Sequence, residues 1–317
     1  MTANLALGPG AEFDRIRNIL GRLGDRAAGV GGDCALIPVR DGHLAVSVDL
    51  SIEGTHFRLE WLSLEEVGWR AAAGALSDLA AAGAEAIGIL ASVGAPREAP
   101  AADLTSLMAG VGAAAASVGG SVLGGDLAAA SSWLVDVTVI GRVERPVTRA
   151  GARPGDGVWV SGRLGSARAA LDALVRGGSP NPEARAAFAR PQPRLDLGRA
   201  LSRRGVTAMI DLSDGLGGDA GHLAAASGCA IEIDLGLVPV GPGVEEQAAR
   251  RSVHPAVYAA AGGEDYELLF TLPAEAGTGA SLGGVPVTRI GRVAEGSGVH
   301  LRLDGRDQEI HGFDHFA

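Results

Sequence analysis

A break at residues 146–155 divides the chain into two halves. This segment reads PVTRAGARPG, and its prolines, glycines and arginines are typical of an exposed connection between domains. A strand-like run ending in Ile-Gly-Arg-Val stands near the end of each half, at residues 140–143 and 290–293, either as a repeated plan or as two unrelated strand ends. A chain of 317 residues is long for one core and of ordinary length for two. We therefore predict two domains, residues 1–145 and 146–317.

Strand and helix signals alternate in both halves, which predicts an α/β (α+β) fold. In the first half, Ser63 and Glu66 form a capping box ahead of the helical run LEEVGWRAAAGALSDLAAA, and Gly83 is placed to end it. In the second half, a buried strand is predicted up to Asp211, followed by a helix that ends before Gly228. Functional residues often collect at such strand ends.

The composition excludes several classes of protein. With 47% hydrophobic residues the chain has enough apolar surface to fold. Its two cysteines, Cys34 and Cys229, are far apart and form no CxxC, so neither a disulfide framework nor a structural zinc site is indicated. The sequence shows no secretion signal and no apolar stretch of about 18 residues. We expect a cytoplasmic protein that does not enter a membrane.

The charged residues restrict the chemistry further. The formal net charge is -10, and no basic run exceeds a pair of arginines, which argues against a nucleic-acid partner. All 27 basic residues are arginine, so Schiff-base, pyridoxal phosphate and Walker-type phosphate-loop mechanisms are excluded. A protein of this composition must neutralise phosphates with arginine, backbone amides, helix N-termini or metal ions held by carboxylates.

Aspartates recur beside glycines or at strand ends. The five places are Gly32-Asp33, Ser47-Val48-Asp49, Ser77-Asp78, Gly124-Gly125-Asp126 and Asp211-Leu212-Ser213-Asp214-Gly215. Each alone is more often a turn than a ligand. Two of them, however, end the apolar runs LAVSVDL and VTAMIDL, where an uncompensated carboxylate is costly. Together they predict a magnesium site, since this ion prefers oxygen ligands.

Eight stretches, spread in order over nearly the whole chain, resemble the thiamine-monophosphate kinases, within the aminoimidazole ribonucleotide synthetase-like superfamily. They are GGDCALI, SVDLSIEGTHF, ALSDLAAAGA, LGGDLA, RAGARPGD, IDLSDGL, GGEDYELLF and GFDHF. The resemblance implies a two-domain fold of the synthetase-like type, whose N-terminal domain contributes to a dimeric β-barrel and whose C-terminal α/β domain completes the cleft. It also implies a homodimer.

The resemblance further implies an ATP-dependent kinase that uses several Mg²⁺ ions to convert thiamine monophosphate into thiamine diphosphate. The implied metal ligands are Asp33, Ser47, Val48 (through its backbone), Asp49, Asp78, Asp126, Asp211 and Asp214. The implied ATP contacts are Gly125, Asp126, Arg149 and Ser213. His56, Glu264 and Phe313 are the implied contacts to thiamine monophosphate, with Phe313 stacking on its ring. Asp49, Asp214 and Arg149 are the residues expected to matter most for transfer.

The sequence departs from the family pattern in three places and leaves other readings open. Gly32 stands where an aspartate is usual, Val48 stands where a threonine is usual, and residues 104–123 lack the expected tyrosine. A related synthetase, or a homologue that binds nucleotide without turnover, remains an alternative. Without the resemblance, ordinary structural or surface roles would explain four of the named residues equally well: His56, Arg149, Glu264 and Phe313. If the acceptor is a phosphate dianion, direct in-line transfer needs no general base.

Overall fold

The computed structural model describes residues 8–27, 30–277 and 279–316, in which two mixed sheets are combined with helices. The strands are β1 (Ala35–Val39), β2 (Gly42–Ile52), β3 (Glu85–Pro96), β4 (Ser121–Ala130), β5 (Leu134–Val143), β6 (Gly157–Ser161), β7 (Ala208–Asp211), β8 (Ala230–Asp234), β9 (Leu268–Leu272), β10 (Ser281–Leu282), β11 (Val285–Ala294), β12 (Gly298–Leu303) and β13 (Arg306–Gln308). The α-helices are α1 (Ala11–Leu23), α2 (Leu64–Ala81), α3 (Ala101–Ser117), α4 (Ser166–Val175), α5 (Pro182–Ala189), α6 (Leu195–Arg204), α7 (Leu216–Ser227), α8 (Val244–Arg250) and α9 (Pro255–Ala260).

The first sheet has the strand order β1-β2-β5-β3-β4, with only β3 and β4 parallel. Buried and less buried residues alternate along β5, and α2 packs against this sheet. The edge strand β4 is exposed along its whole length, including Val122, Leu123 and Leu127. The sheet therefore presents an uncovered apolar edge in this single chain, and the dimeric β-barrel stays a prediction.

Helix α2 lies at the centre of the molecule, and its ends match the sequence prediction. Ser63 Oγ accepts the Glu66 N–H at 3.3 Å, while Glu66 Oε2 accepts the Ser63 N–H at 2.9 Å, which completes the capping box. Gly83 follows the helix with φ +72°. A Cβ on Gly68 would lie 1.9 Å from the Leu107 carbonyl oxygen, so glycine is needed where α2 meets α3.

The second sheet has the strand order β13-β12-β8-β11-β6-β9-β7, with β10 attached to β11. The strand β7 ends this sheet and packs beside α2. It ends at Asp211 as predicted, and α7 follows and stops at Ser227, before the left-handed Gly228. This arrangement places the end of β7 next to the C-terminal half of α2.

Residues 146–155 form neither helix nor strand, but the buried core is continuous across them. One hydrophobic cluster joins Leu76 and Leu79 of α2 to Phe188, Leu201 and Phe270 of the second half. The division into residues 1–145 and 146–317 stays a prediction. No helix among the described residues is long and apolar enough to cross a membrane.

Candidate active site

A cleft of about 620 Å³ lies between the two halves, and one face of α2 forms its wall. Arg70, Gly74 and Asp78 all line this cleft. Residues four apart lie above one another on a helix, so these three positions share a face. The middle position has no side chain, so groups from other elements can approach the helix between a cation and a carboxylate.

The strand β2 contributes two predicted ligands from one of its faces. Ser47 Oγ donates a hydrogen bond to Asp78 Oδ2 at 2.6 Å. Asp49 lies within β2 rather than at its end, because pairing with β5 continues to Ile52. The prediction that Asp49 ends a strand was therefore wrong. Burial raises the pKa of Asp49, although His56 opposes the shift.

The space beside Gly74 is occupied by groups from elsewhere in the chain. A Cβ at this position would lie 3.0 Å from Asp49 Oδ2 and 3.2 Å from the Tyr266 hydroxyl. Glycine in the middle of a helix costs about 1 kcal/mol relative to alanine. The access that it gives to Asp49 and Tyr266 is a physical reason for glycine here.

The turn after β7 carries Ser213 and Asp214 and is held by Asp219. Asp219 is buried in the first turn of α7, where its Oδ2 accepts the N–H groups of Asp214 at 3.2 Å and Gly215 at 3.0 Å. A carboxylate in this position also interacts favourably with the helix dipole. Burial, together with the charge of Glu12, raises the pKa of Asp214 to about 6.

Three carboxylates converge at the edge of the cleft, and two of them, Asp78 and Asp211, line it. One oxygen each from Asp33, Asp78 and Asp211 lies within 4.8 Å of the others. Burial, reinforced by the neighbouring carboxylates, raises the pKa of Asp78 well above its usual range, and burial with the charge of Asp33 raises the pKa of Asp211 to about 7. Such shifts indicate negative charge that few neighbouring cations offset.

Arg149 is the cation that this cluster does contact. Its Nη2 and Nε donate to Asp33 Oδ1 at 2.8 and 3.1 Å. Burial lowers the pKa of Arg149, but the charge of Asp33 outweighs it and the net pKa is raised, so the guanidinium is charged. Arg149 belongs to the connecting segment 146–155, and its side chain thus points into the site and not into solvent.

The donor set fits a hard divalent cation. It consists of carboxylate oxygens from Asp33, Asp78 and Asp211 with the Ser47 hydroxyl beside them, and it contains no nitrogen ligand. Cys34 lies nearby with its thiol directed to the Asp78 carbonyl at 3.3 Å, and burial raises the pKa of this thiol, so it stays protonated. Oxygen ligands with uncompensated charge suit Mg²⁺.

The opposite part of the cleft is formed by His56, Glu264 and Phe313. His56 Nδ1 accepts the Ile52 N–H at 3.0 Å, and burial followed by the charge of His315 lowers the pKa of His56. The ring is therefore neutral with its proton on Nε2. Phe313 is 59% exposed, and its backbone N–H donates to the Asp214 carbonyl at 3.0 Å.

The segment that carries Glu264 crosses the Ser213 turn in a strained conformation. Glu264 and Tyr266 have φ values of +64° and +51°, which cost roughly 1–2 kcal/mol each for residues other than glycine. Their N–H groups donate to the carbonyls of Ser213 at 2.8 Å and Leu212 at 2.9 Å. These bonds tie the wall that carries Glu264 to the turn that carries Asp214.

Two predicted nucleotide contacts lie elsewhere. Gly125 and Asp126 stand in the middle of β4, exposed and paired with Ala91 and Ser92 of β3, and they are not among the residues that line the cleft. A Cβ on Gly125 would lie 1.9 Å from the Ala91 carbonyl oxygen, so glycine is required at this position by strand packing.

Val48, the predicted backbone ligand on β2, is 62% exposed and does line the cleft. The roles of Gly125, Asp126 and Val48 stay predictions.

Sequence reasoning did not identify Arg70, Tyr266 or Asp219 as site residues. Asp219 could have been found, because an acidic residue in the first turn of a helix is a recognisable capping signal. Tyr266 lies inside the quoted GGEDYELLF stretch without an assigned role. Arg70 has no local signal, since its partner Glu264 comes from the other half of the chain.

Comparison with known proteins identifies the family. The model of the AIR synthase related protein N-terminal domain matches residues 31–143, and that of the C-terminal domain matches residues 153–304. The thiamine-monophosphate kinase of Mycobacterium tuberculosis (strain ATCC 25618 / H37Rv) is 34% identical over 306 residues, covering 95% of this chain and 89% of the relative. The chain belongs to the thiamine-monophosphate kinase family.

Other members of the thiamine-monophosphate kinase family agree. The Escherichia coli (strain K12) kinase is 36% identical over 324 residues, covering 96% of each chain. A solved structure of AaThiL complexed with AMPPCP and TMP superposes with a TM-score of 0.88 at 34% identity, covering 97% of both chains. The predicted two-domain synthetase-like fold and the predicted enzyme class, a kinase, are confirmed.

Proposed function

We propose that the chain transfers the γ-phosphoryl group of ATP to the phosphate of thiamine monophosphate, giving thiamine diphosphate and ADP. Relatives that match over most of their length are named thiamine-monophosphate kinases, and one similar structure is of a complex with AMPPCP and TMP. The observation that carries the proposal is the convergence of Asp33, Asp78 and Asp211, since Asp78 and Asp211 line a cleft that Glu264 and Phe313 also line. Such a cleft suits a substrate with a phosphate at one end and an aromatic ring at the other.

The acceptor supplies its own nucleophile. A phosphate monoester has a second pKa of about 6, so at neutral pH it is largely a dianion. An acceptor oxygen attacks the γ-phosphorus, the bond from that phosphorus to the β,γ-bridging oxygen breaks, and ADP leaves with the electron pair. No phosphorylated enzyme intermediate and no general base are required.

The main obstacle is the approach of two polyanions, and the carboxylates address it through metal ions. We assign Asp33, Ser47, Asp49, Asp78, Asp126, Asp211 and Asp214, with the Val48 backbone, to binding of several Mg²⁺ ions. When bound, these ions neutralise and orient the two phosphate groups. Asp219 keeps the Asp214 turn in place through its two backbone hydrogen bonds.

The remaining polar groups bind and orient the substrates. Arg149 and Ser213 would contact the ATP phosphates, together with Gly125 and Asp126 on β4. The His56 Nε2–H donates to thiamine monophosphate, since Nδ1 is already an acceptor. Phe313 stacks on the heteroaromatic ring, and the Glu264 carboxylate faces its positive charge.

The assembly that we propose is a homodimer formed through the N-terminal domains. The exposed apolar residues of β4, including Leu123 and Leu127, belong to the surface that such a dimer would cover. A partner subunit would also surround Gly125 and Asp126, which are open in the single chain. This accounts for their position outside the cleft.

The test is an acceptor comparison with purified protein, ATP and Mg²⁺. Thiamine diphosphate and ADP should form in equal amounts with thiamine monophosphate, and neither should form at a comparable rate with unphosphorylated thiamine. ATP binding without turnover on thiamine monophosphate would refute the proposal and favour a homologue that only binds nucleotide. Turnover that depends on a different phosphorylated acceptor would favour a related synthetase.

A further inference from the structure

Arg70 places a positive charge in the wall of the cleft with almost no access to solvent. Its side chain is 6% exposed, and it comes from α2, in the first half of the chain. A guanidinium in such a place is strongly unfavourable unless it is paired and hydrogen-bonded. The role of this charge can therefore be inferred from the groups that Arg70 contacts.

Two contacts fix the plane of the guanidinium, and neither involves a residue that is predicted to contact substrate. Nη1 donates a hydrogen bond to the carbonyl of Phe188, in the last turn of α5, where helix carbonyls lack intrahelical partners. The Phe188 ring also lies against the guanidinium, with Cζ 4.4 Å from the ring centroid. Arginine has a rigid fork of donors, so these contacts determine where its other edge points.

That other edge meets Glu264. Arg70 Nη2 and Glu264 Oε1 form an ion pair. The other oxygen, Oε2, makes no hydrogen bond with any residue in the described part of the chain, and the Glu264 side chain is 31% exposed on the cleft. One oxygen is thus anchored, and the second is available to a ligand.

The backbone of Glu264 makes such an anchor useful. Its left-handed φ of +64° is a strained conformation that persists only when the surroundings determine it. The Glu264 N–H donates to the Ser213 carbonyl oxygen at 2.8 Å. This hydrogen bond holds the main chain in place but does not fix the direction of the carboxylate. The ion pair with Arg70 supplies that direction.

We propose that Arg70 is a positioning residue, which holds Glu264 so that its free oxygen selects acceptors with an electropositive heteroaromatic ring. This deepens the proposed function and rests on it. Arg70 acts through Glu264 and does not contact the transferred phosphoryl group. Its loss should therefore weaken acceptor binding much more than it changes ATP binding or the turnover rate at saturation.

The experiment is a double-mutant cycle on the full-length protein with Arg70→Gln, Glu264→Gln and the double variant. Thiamine monophosphate binding is measured by calorimetry without ATP, and KM for each substrate is measured separately. Arg190→Gln is the matched control. Arg190 forms an exposed ion pair with Glu65, which lies on the same helix as Arg70, and Arg190 does not line the cleft. Thermal unfolding of each variant shows whether it is folded.

Each single variant should weaken thiamine monophosphate binding about tenfold or more, while KM for ATP stays within about twofold. The double variant should bind thiamine monophosphate no more weakly than the weaker-binding single variant does, because both substitutions remove the same ion pair. Arg190→Gln should bind as the wild type does. Effects that multiply in the double variant, or wild-type acceptor affinity in a folded Arg70→Gln protein, would overturn the inference.

If Arg70→Gln does not fold, Arg70→Lys replaces it. Lysine keeps the charge but cannot hold the Phe188 carbonyl and Glu264 together with a planar fork, so acceptor binding should still weaken about threefold or more. Unchanged acceptor affinity in this variant would overturn the inference. If the wild-type protein itself neither binds nor converts thiamine monophosphate, the proposed function fails, which is a distinct result.

Discussion

Arg149 donates two hydrogen bonds to a single oxygen of Asp33, with lengths of 2.8 and 3.1 Å. The two residues lie 116 positions apart, one in the connection between the halves and one just before β1. Asp33 also faces Asp78 and Asp211. The pair therefore brings a charged arginine to a cluster of carboxylates that repel one another.

Replacement of Arg149 by glutamine should destabilise the metal-free protein by about 3 kcal/mol. The Arg149 side chain is 19% exposed and that of Asp33 is 3% exposed, and removal of one partner from a buried pair leaves the other charge unpaired. Added Mg²⁺ should recover more stability in Arg149→Gln than in the wild type, because the ion supplies the missing positive charge. Thermal unfolding with EDTA and with Mg²⁺ measures both effects, and equal Mg²⁺ stabilisation in the two proteins would contradict this account.

Replacement of Asp78 by asparagine should stabilise the metal-free protein by about 1–2 kcal/mol while it lowers kinase activity severely. The change removes one of three mutually repelling carboxylates, and an amide oxygen can still accept the Ser47 hydroxyl. Asp196→Asn is the control, since its side chain is 94% exposed and should change stability by less than about 0.5 kcal/mol. A less stable Asp78→Asn protein in EDTA would show that repulsion does not dominate this cluster.

Replacement of Gly74 by alanine should reduce kcat/KM by about tenfold or more without a large loss of stability. Helix propensity favours alanine by about 1 kcal/mol, but the new Cβ would lie 3.0 Å from Asp49 Oδ2. Gly112 in α3 is the matched control, because a Cβ there has only one neighbour, at 4.0 Å. Gly112→Ala should therefore raise the melting temperature and leave activity unchanged. Full activity in Gly74→Ala would show that the position of Asp49 does not depend on glycine beside it.

Asp172 gives a pH-dependent stability effect whose hydrogen-bond partners include none of the predicted metal ligands. Its carboxylate accepts two hydrogen bonds from Arg251, at 2.7 and 2.8 Å, and one from the Tyr258 hydroxyl at 2.7 Å. Burial raises the pKa of Asp172, but these bonds outweigh it and the net pKa is lowered. The resulting stability is present above the unfolded-state pKa of about 3.9 and is lost as the pH falls through the lower folded-state pKa.

Asp172→Asn should accordingly be less stable than the wild type by roughly 1 kcal/mol at pH 7, a value reduced by solvent screening. The difference should begin to shrink as the pH falls below about 5, because the unfolded wild-type chain then binds a proton that the folded protein does not yet bind. Urea unfolding of both proteins across this range measures it. A difference that is constant with pH would assign the effect to shape and not to charge.

The sequence predicted best where the signal is local. The capping box of Ser63 and Glu66, the end of β7 at Asp211 and the stop of α7 before Gly228 depend on neighbours within a few positions, and each was confirmed. Asp49 was misplaced at a strand end, because the length of β2 is set by its pairing with β5. The links from Arg149 to Asp33 and from Arg70 to Glu264 depend on tertiary contacts between the halves, for which neither partner carries a local signal.

The most direct measurement follows thiamine diphosphate formation from ATP and thiamine monophosphate with Mg²⁺, for the wild type and for Asp214→Asn side by side. The proposed function predicts one thiamine diphosphate for each ADP from the wild type. It also predicts a loss of about 100-fold or more in Asp214→Asn, since the variant removes a charged group at the proposed transfer site while its fold is kept. Absence of thiamine diphosphate from the folded wild-type protein, or full activity in Asp214→Asn, would contradict it.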